Sequence, residues 1–163
     1  MIERYSRKEI KSIWEDYNRY SIWLKIELTA AEAMEKLGII PKGVVKKVKS
    51  KARINPKRIL QIEQKVKHDI IAFLTSITEK VGKEAKYLHK GMTSSDVLDT
   101  CFAVQLRQSS VLLISGIEKV LAALKMVAFK HKHTVCIGRS HGIHAEPTTF
   151  GLKMAQAYAE MSR

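Results

Sequence analysis

The sequence predicts an all-α fold, with a small N-terminal helical domain over residues 1–93 and the start of a long-helix bundle over residues 94–163. Apolar residues recur at helical spacing through most of the chain, and the segment from Asp96 to about Lys130 contains no proline. Hydrophobic residues make up 45% of the chain, charged residues make up 28%, and only 3 residues are proline. This composition is typical of a globular protein and excludes disordered, collagen-like and low-complexity classes.

The first helices are predicted from one cap and two apolar stripes. Ser6 and Glu9 have the spacing of a capping box, so a helix should start at about Arg7. A second apolar stripe begins near Tyr20 and ends at Gly38, a residue suited to a left-handed C-cap.

Two more helices complete the predicted first domain. A short basic helix fills Gly43–Lys51. Asn55 and Pro56 suit the N-cap and the first helical position, so a single helix should open there and continue toward Lys80.

The second domain should open with a helix from Asp96 to about Lys130, capped by Ser94 or Ser95. At 1.5 Å per residue such a helix would span about 50 Å. Its apolar residues occupy several faces, which indicates that neighbouring helices of a bundle cover it.

The last part of the chain is predicted to be irregular and then helical. Residues 138–148 read as an irregular stretch, with at most a few strand residues around 135–137 before it. A final helix opens near Thr148 and is still periodic at Arg163, so we expect the chain to stop within a helix of a longer protein.

The charge balance indicates an anionic partner. Lys and Arg number 29 against 16 Asp and Glu, which gives a net charge of +13. Nucleic acid, a membrane surface and a small phosphorylated substrate all fit this charge. The basic residues concentrate in Lys42–Arg58, but no aromatic side chain there could stack on a base, so a solvated helix surface is favoured.

Cysteine count and hydropathy indicate a cytoplasmic protein that is not inserted in a membrane. The two cysteines, Cys101 and Cys136, cannot supply a disulfide framework or a four-cysteine zinc site. The apolar runs are far shorter than the roughly 20 residues that cross a bilayer, and the charged first residues do not form a signal peptide.

Histidines beside small polar or acidic residues are the main candidates for chemistry, because histidine titrates nearest to neutral pH. They are His68 with Asp69, His89 ahead of Thr93, Ser94 and Ser95, and His141 with His144 and Glu146. His141 stands out, since Gly138 and Gly142 allow a tight backbone that points its ring outward. For His68 the spacing is equally compatible with an exposed helix residue beside a capping Asp69.

No metal site is predicted from these histidines. His141 and His144 lie in an irregular segment rather than on one face of a helix, and no cysteine supports them. No cofactor-binding loop is predicted either, because the glycines lack the lysine and the strand context of a phosphate loop.

Four segments together carry a specific resemblance to a known family. They are MIERYS at the start, KHDIIAF at residues 67–73, HKGMTSSDVLDT at residues 89–100 and GRSHGIHAEPTTFGLK at residues 138–153. In this order they resemble the N-terminal part of the adenylosuccinate lyase family, within the fumarase/aspartase superfamily of long-helix bundles. The resemblance covers essentially all 163 residues.

By position, the resemblance implies roles for the histidines. His141 corresponds to the general acid that protonates the departing nitrogen, and Ser140 stands where the family more often has threonine. His68 and Asp69 correspond to residues beside the reacting centre, and His89 belongs to the same site.

The resemblance also implies substrate contacts. Arg4 and Tyr5 would bind the nucleotide part of the substrate, and Thr93 and Ser94 would bind the succinyl carboxylates. Lys67 stands where arginine is commoner, which keeps the charge but loses the bidentate fork.

The implied reaction is the elimination of fumarate from adenylosuccinate and from SAICAR, giving AMP and AICAR in purine nucleotide biosynthesis. The family needs no cofactor or metal for it and works as a homotetramer. Its catalytic base is a serine on a loop that ends in a Met-Pro-x-Lys-x-Asn-Pro run, and this sequence contains no such run. We therefore expect the 163-residue chain to be inactive alone.

Two alternatives remain open from the sequence. Another lyase or a cycloisomerase of the same superfamily would share the helices and the histidine but lack the nucleotide contacts. A helical nucleic-acid-binding module that uses Lys42–Arg58 is the less favoured alternative.

Overall fold

The computed structural model describes residues 2–163. They form two compact units, of which the first ends at Ser109 and the second spans Ser110–Arg163. Over the described residues, regular structure consists of seven α-helices, two short 3-10 helices and one two-stranded sheet. The predicted all-α class is therefore confirmed, and the domain boundary predicted between residues 93 and 94 stays a prediction.

Helices alone build the first unit. In chain order they are a 3-10 turn at Glu3–Tyr5, α1 at Lys8–Ile13, α2 at Asp16–Lys36, α3 at Val44–Lys51, α4 at Pro56–Val66, α5 at Asp69–Val81 and a 3-10 turn at Lys83–Tyr87. The next helix, α6, spans Ser94–Lys130, so it begins in the first unit and continues into the second. The second unit then contains β1 at Val135–Ser140, β2 at Ile143–Thr149 and α7 at Phe150–Met161. None of the helices in residues 2–163 has the length and apolar character needed to cross a membrane.

The capping box predicted at the first helix is wrong, although the helix begins where expected. Arg7 is the N-cap of α1, and no side chain caps this helix. The Ser6 hydroxyl instead donates to the carbonyl of Ile2, at 2.9 Å, on the N-terminal side of the helix.

The single helix predicted from Asn55 toward Lys80 is also wrong, because two helices occupy this segment. Asn55 does cap α4, where it accepts a hydrogen bond from the Arg58 amide. The helix ends at Lys67, which has φ 55° and ψ 32°, a left-handed conformation that cannot continue an α-helix. α5 then begins at Asp69, and the two helices pack against each other.

The stretch predicted to be irregular, residues 138–148, falls within a β-hairpin instead. β1 and β2 pair antiparallel from Val135 opposite Thr149 to Ser140 opposite Ile143. The two residues between the strands, His141 and Gly142, both have positive φ, at 52° and 75°. Positive φ at both central residues is the arrangement of a type I′ turn, whose twist matches that of paired strands.

The core of the first unit is centred on three aromatic rings. Tyr20 and Trp23 of α2 meet edge-on with centroids 5.1 Å apart, and Trp23 meets Phe73 of α5 edge-on at 5.5 Å. All three side chains are buried, so each removes a large apolar surface from water. This cluster fixes α2 against α5 and thereby fixes the start of α5, where His68 and Asp69 lie.

Candidate active site

The backbone is unusual at three of the residues expected to act in the site. Among residues 2–163, the non-glycine residues with positive φ are Lys67 at 55°, His89 at 59° and His141 at 52°. The left-handed conformation costs a non-glycine residue about 1 kcal/mol or more. Such conformations persist only where the surrounding structure imposes them, and they concentrate at functional sites.

The turn between α4 and α5 presents Lys67, His68 and Asp69 together. Lys67 ends α4, where its amide donates to the Glu63 carbonyl at 2.8 Å. His68 is the N-cap of α5, and Asp69 is the first residue of that helix. The Lys67 and His68 side chains are exposed and that of Asp69 is partly buried, so the turn displays a cation, an imidazole and a carboxylate side by side.

The His68 ring has two competing partners. Its Nδ1 atom lies 3.4 Å from the Ile71 amide, whose hydrogen bond it accepts as the helix cap, and 3.4 Å from an Asp69 carboxylate oxygen. An unprotonated Nδ1 can accept from the amide, whereas a protonated Nδ1 can only pair with the carboxylate. The same ring nitrogen thus has a hydrogen-bond donor and a carboxylate at equal distance.

His89 is held by a buried carboxylate that the sequence analysis did not single out. Glu27 Oε2 accepts from the His89 amide at 2.6 Å, and Glu27 Oε1 lies 2.7 Å from His89 Nδ1. The Glu27 side chain is completely buried, while that of His89 keeps 19% of its exposure. Both the backbone and the ring of His89 are therefore fixed from α2.

Thr93 and Ser94 lie at the start of α6. The Asp96 carboxylate reaches back to accept from the Thr93 amide at 2.8 Å, which fixes the first turn of the helix. In the part of the chain that the structure describes, the hydroxyls of Thr93 and Ser94 make no hydrogen bond to protein. Two free hydroxyls at the positive end of a 37-residue helix suit the binding of a carboxylate.

Ser140 and His141 belong to the hairpin of the second unit. Ser140 ends β1, His141 opens the two-residue turn, and both side chains are exposed. The segment Gly138 to Gly142 matches the Gly-x-Ser-x-Gly pattern of a nucleophile elbow. Ser140 is followed by a hairpin turn rather than by a helix, so the structure excludes an elbow here.

The predicted nucleotide contacts, Arg4 and Tyr5, lie in the first 3-10 turn. Both side chains are exposed, and the Arg4 guanidinium stands 4.8 Å from the centroid of the Tyr5 ring. A guanidinium over an aromatic face offers a cation and a stacking surface, which are the two features that a nucleotide phosphate and base require.

Metal ligation finds no support in residues 2–163, where no group of three or more histidine, cysteine, aspartate or glutamate side chains could hold a metal ion.

Comparison with known proteins decides the family. The family model described as Lyase matches residues 3–163. The chain belongs to this lyase family. Over all 163 residues it is 48% identical to the adenylosuccinate lyase of Synechocystis sp. and 47% identical to that of Bacillus subtilis. The predicted resemblance is thus confirmed, and the chain spans 38% of the length of each of these relatives.

Solved structures share the fold of this lyase chain. A fumarate lyase from Mesorhizobium sp. BNC1 superposes with a TM-score of 0.90 and 28% identity, covering 97% of this chain and 38% of that one. A β-carboxy-cis,cis-muconate cycloisomerase from Acinetobacter calcoaceticus sp. ADP1 superposes with a TM-score of 0.88 over 96% of this chain and 38% of that one, at 24% identity.

Glu27, which contacts His89 of the candidate site, was not predicted from the sequence, although a signal for it was present. It lies four residues after Trp23 and four before Ala31, which are both buried on the apolar stripe of α2. An ionisable residue inside an apolar stripe needs a buried partner. The sequence could therefore have marked Glu27, although it could not have named His89 as the partner.

Proposed function

We propose that this chain is part of an adenylosuccinate lyase. The enzyme eliminates fumarate from adenylosuccinate to give AMP, and from SAICAR to give AICAR, in purine nucleotide biosynthesis. The observation that carries the proposal is the identity of 48% and 47% to two adenylosuccinate lyases over all 163 residues. The exposed His68 and His141, in the two turns described above, support it because they offer the acid–base groups that the elimination needs.

The proposed reaction requires three kinds of chemical group. A base removes a weakly acidic C–H proton beside a carboxylate, an acid protonates the departing nitrogen, and hydrogen-bond donors stabilise the charge that develops on the carboxylate. In our proposal His141 is the acid. It is exposed at the tip of a hairpin, where paired strands hold its backbone while the ring stays free to reach a ligand.

The remaining residues bind and orient the substrate. Thr93 and Ser94 bind the succinyl carboxylates with the free hydroxyls at the start of α6. The Ser140 hydroxyl, beside His141, is able to hydrogen-bond a substrate carboxylate. Arg4 and Tyr5 bind the nucleotide part, and Lys67 supplies a cation beside His68, Asp69 and the reacting centre. The net charge of +13 suits a substrate that carries a phosphate and several carboxylates.

In our proposal the catalytic base lies outside these 163 residues, and the active site is complete only in the assembled enzyme. The family's base serine belongs to a loop that this sequence does not contain, so the chain alone does not turn over adenylosuccinate. The active enzyme is a cytoplasmic homotetramer that needs no metal or cofactor, and each active site receives residues from more than one subunit.

A chimera tests the function without relying on the chain alone. This chain replaces the 163 matching residues of the Bacillus subtilis relative, which supplies the remainder. We expect the chimera to release fumarate from adenylosuccinate, followed by absorbance. His141→Ala should lower kcat by at least about a hundredfold while changing substrate affinity only modestly, because an acid acts mainly in the transition state.

The matched control is His133→Ala, which removes an exposed histidine that has no proposed role. It should leave kcat unchanged. A chimera that folds and assembles but releases no fumarate would contradict the proposed function. A His141→Ala variant with a normal kcat would contradict only the assignment of the acid.

The two alternatives have weaker support. Identity to the cycloisomerase is 24%, half of that to the adenylosuccinate lyases. In the basic segment, Lys47 pairs with Glu84 at 3.1 Å, and Arg58 pairs with Glu79 at 2.6 Å. The Arg58 hydrogen bond holds the pKa of Glu79 below its usual value. Part of the basic segment is thus neutralised within the protein, which disfavours a nucleic-acid-binding module.

A further inference from the structure

We propose that Glu27 is a positioning residue for His89, which keeps a proton on Nδ1 of that histidine and thereby leaves Nε2 as the atom that meets the substrate. The inference rests on the proposed function for its catalytic meaning. Its structural content concerns only the first unit, which contains both residues.

The Glu27 carboxylate holds His89 by two contacts, which together we call the clamp. One carboxylate oxygen accepts from the His89 amide at 2.6 Å, and the other lies 2.7 Å from His89 Nδ1. The backbone amide can only donate, so the first oxygen must accept. The second oxygen then takes the proton of Nδ1, because a carboxylate with two facing nitrogens is satisfied only as a double acceptor.

The left-handed backbone of His89 explains why a clamp is needed. With φ at 59°, His89 occupies a conformation that costs a non-glycine residue about 1 kcal/mol or more. The Met92 amide also donates to the His89 carbonyl, but at 3.4 Å this hydrogen bond is long. The short bond to Glu27 offsets the strain and fixes the direction in which the ring leaves the backbone.

The burial of Glu27 argues against an incidental contact. Its side chain is fully buried, and it lies on the same face of α2 as the buried residues Trp23 and Ala31, four positions before and after it. Removing a carboxylate from water is costly unless it is paired, and an apolar residue at this position would pack without that cost. The contact with His89 therefore explains why an acid occupies this buried position.

The chemical consequence falls on the other ring nitrogen. When Nδ1 carries the proton, Nε2 of the neutral ring is a hydrogen-bond acceptor, and it is the nitrogen that does not contact Glu27. His89 keeps 19% of its side-chain exposure while Glu27 keeps none, so a ligand can reach the ring but not the carboxylate. Glu27 thus decides which hydrogen bond His89 offers to the substrate.

Glu27→Gln is the decisive variant, since the amide has nearly the same shape. Its single oxygen is needed by the His89 amide, so its NH₂ group faces Nδ1 and donates to it. We expect nitrogen NMR of the 163-residue chain, labelled on histidine, to show Nδ1 of His89 protonated in the wild type and unprotonated in Glu27→Gln. Glu32→Gln is the matched control, because it changes a less buried acid of the same helix and should leave the His89 signals unchanged.

An unprotonated Nδ1 in the wild type would overturn the proposal, and so would an Nδ1 proton that persists in a folded Glu27→Gln chain. The wild-type spectrum alone shows whether Nδ1 of His89 is protonated, even if the variant fails to fold. In the chimera, Glu27→Gln should lower kcat/KM by about tenfold, as loss of a positioning partner does. An inactive wild-type chimera with a protonated Nδ1 would contradict the proposed function and leave the clamp intact.

Discussion

At the scale of single residues, the chemistry of this chain depends on how each side chain is held. His68 caps a helix and can exchange that role for a contact with Asp69. His89 is clamped by a buried carboxylate, and His141 is exposed at a hairpin tip. The same residue type therefore receives three environments, and in our proposal these environments serve an acid and ligand-binding groups.

The two cysteines give a test of burial at this scale. Cys101 is 2% exposed, and its burial raises the pKa of its thiol, so little thiolate forms and little reagent reaches it. Cys136 is only partly buried on β1. We expect a thiol-reactive dye to modify Cys136 quickly in the native chain and Cys101 only after addition of denaturant. Equal rates in the native state would contradict the packing of Cys101 against α2.

At the scale of elements, the two candidate turns use strained backbone where glycine would be easier. The break between α4 and α5 contains neither glycine nor proline, and the hairpin places His141 where type I′ turns prefer asparagine, aspartate or glycine. In our interpretation, this strain is retained because the side chains at these positions act on the substrate.

Lys67→Gly tests the strain at the first turn. Glycine adopts the left-handed C-cap without the steric penalty, so the free energy of unfolding should rise by about 0.5–1 kcal/mol. Lys65→Gly is the control, because it places glycine in the last turn of α4 and should lower stability by about 1 kcal/mol. Urea denaturation followed by circular dichroism measures both. A loss of stability in Lys67→Gly would mean that the Lys67 side chain stabilises the fold.

The variant Gly151→Ala tests the backbone packing at the start of α7 in the second unit. A Cβ atom at this position would lie 2.4 Å from the Ala128 carbonyl oxygen and 2.7 Å from Lys132 Cα, both of which are backbone atoms. Gly151→Ala should therefore lower stability by about 3 kcal/mol. Gly116→Ala adds the same methyl in the middle of α6, where nothing lies within 4 Å, and should raise stability by up to about 1 kcal/mol. Thermal denaturation that ranks the two variants in the opposite order would contradict this packing.

At the scale of the whole molecule, the chain carries more apolar surface than one copy covers. In the second unit, α6 exposes large hydrophobic residues, with Leu113 at 60%, Met126 at 66% and Phe129 at 68%. Exposed apolar surface of this extent on one helix is typical of a surface that packs against further protein. This agrees with the homotetramer that we propose for the active enzyme.

We therefore expect the 163-residue chain to self-associate. Light scattering at micromolar concentration should give a mass above the 18.5 kDa of one chain. Replacing Leu113 and Phe129 together by glutamate should shift the mass toward the monomer, because the charges remain in water only when the helix face is exposed. Lys125→Glu controls for the change in charge and should not dissociate the assembly. A monomeric wild type would contradict the prediction.

The sequence by itself determined the helical class, the Asn55 cap with Pro56, the long helix α6 and the family, because these depend on local periodicity and on contiguous motifs. It could not reveal the break at Lys67, which no glycine or proline marks. It could not reveal the hairpin around His141 either, since the two strands, VCIGRS and IHAEPTT, lack a regular alternation of apolar and polar residues. Only the tertiary structure decided that Glu27 meets His89. These two residues are 62 positions apart and come together through the packing of whole helices. The sequence pattern therefore does not identify the donor that pairs with a given buried acid.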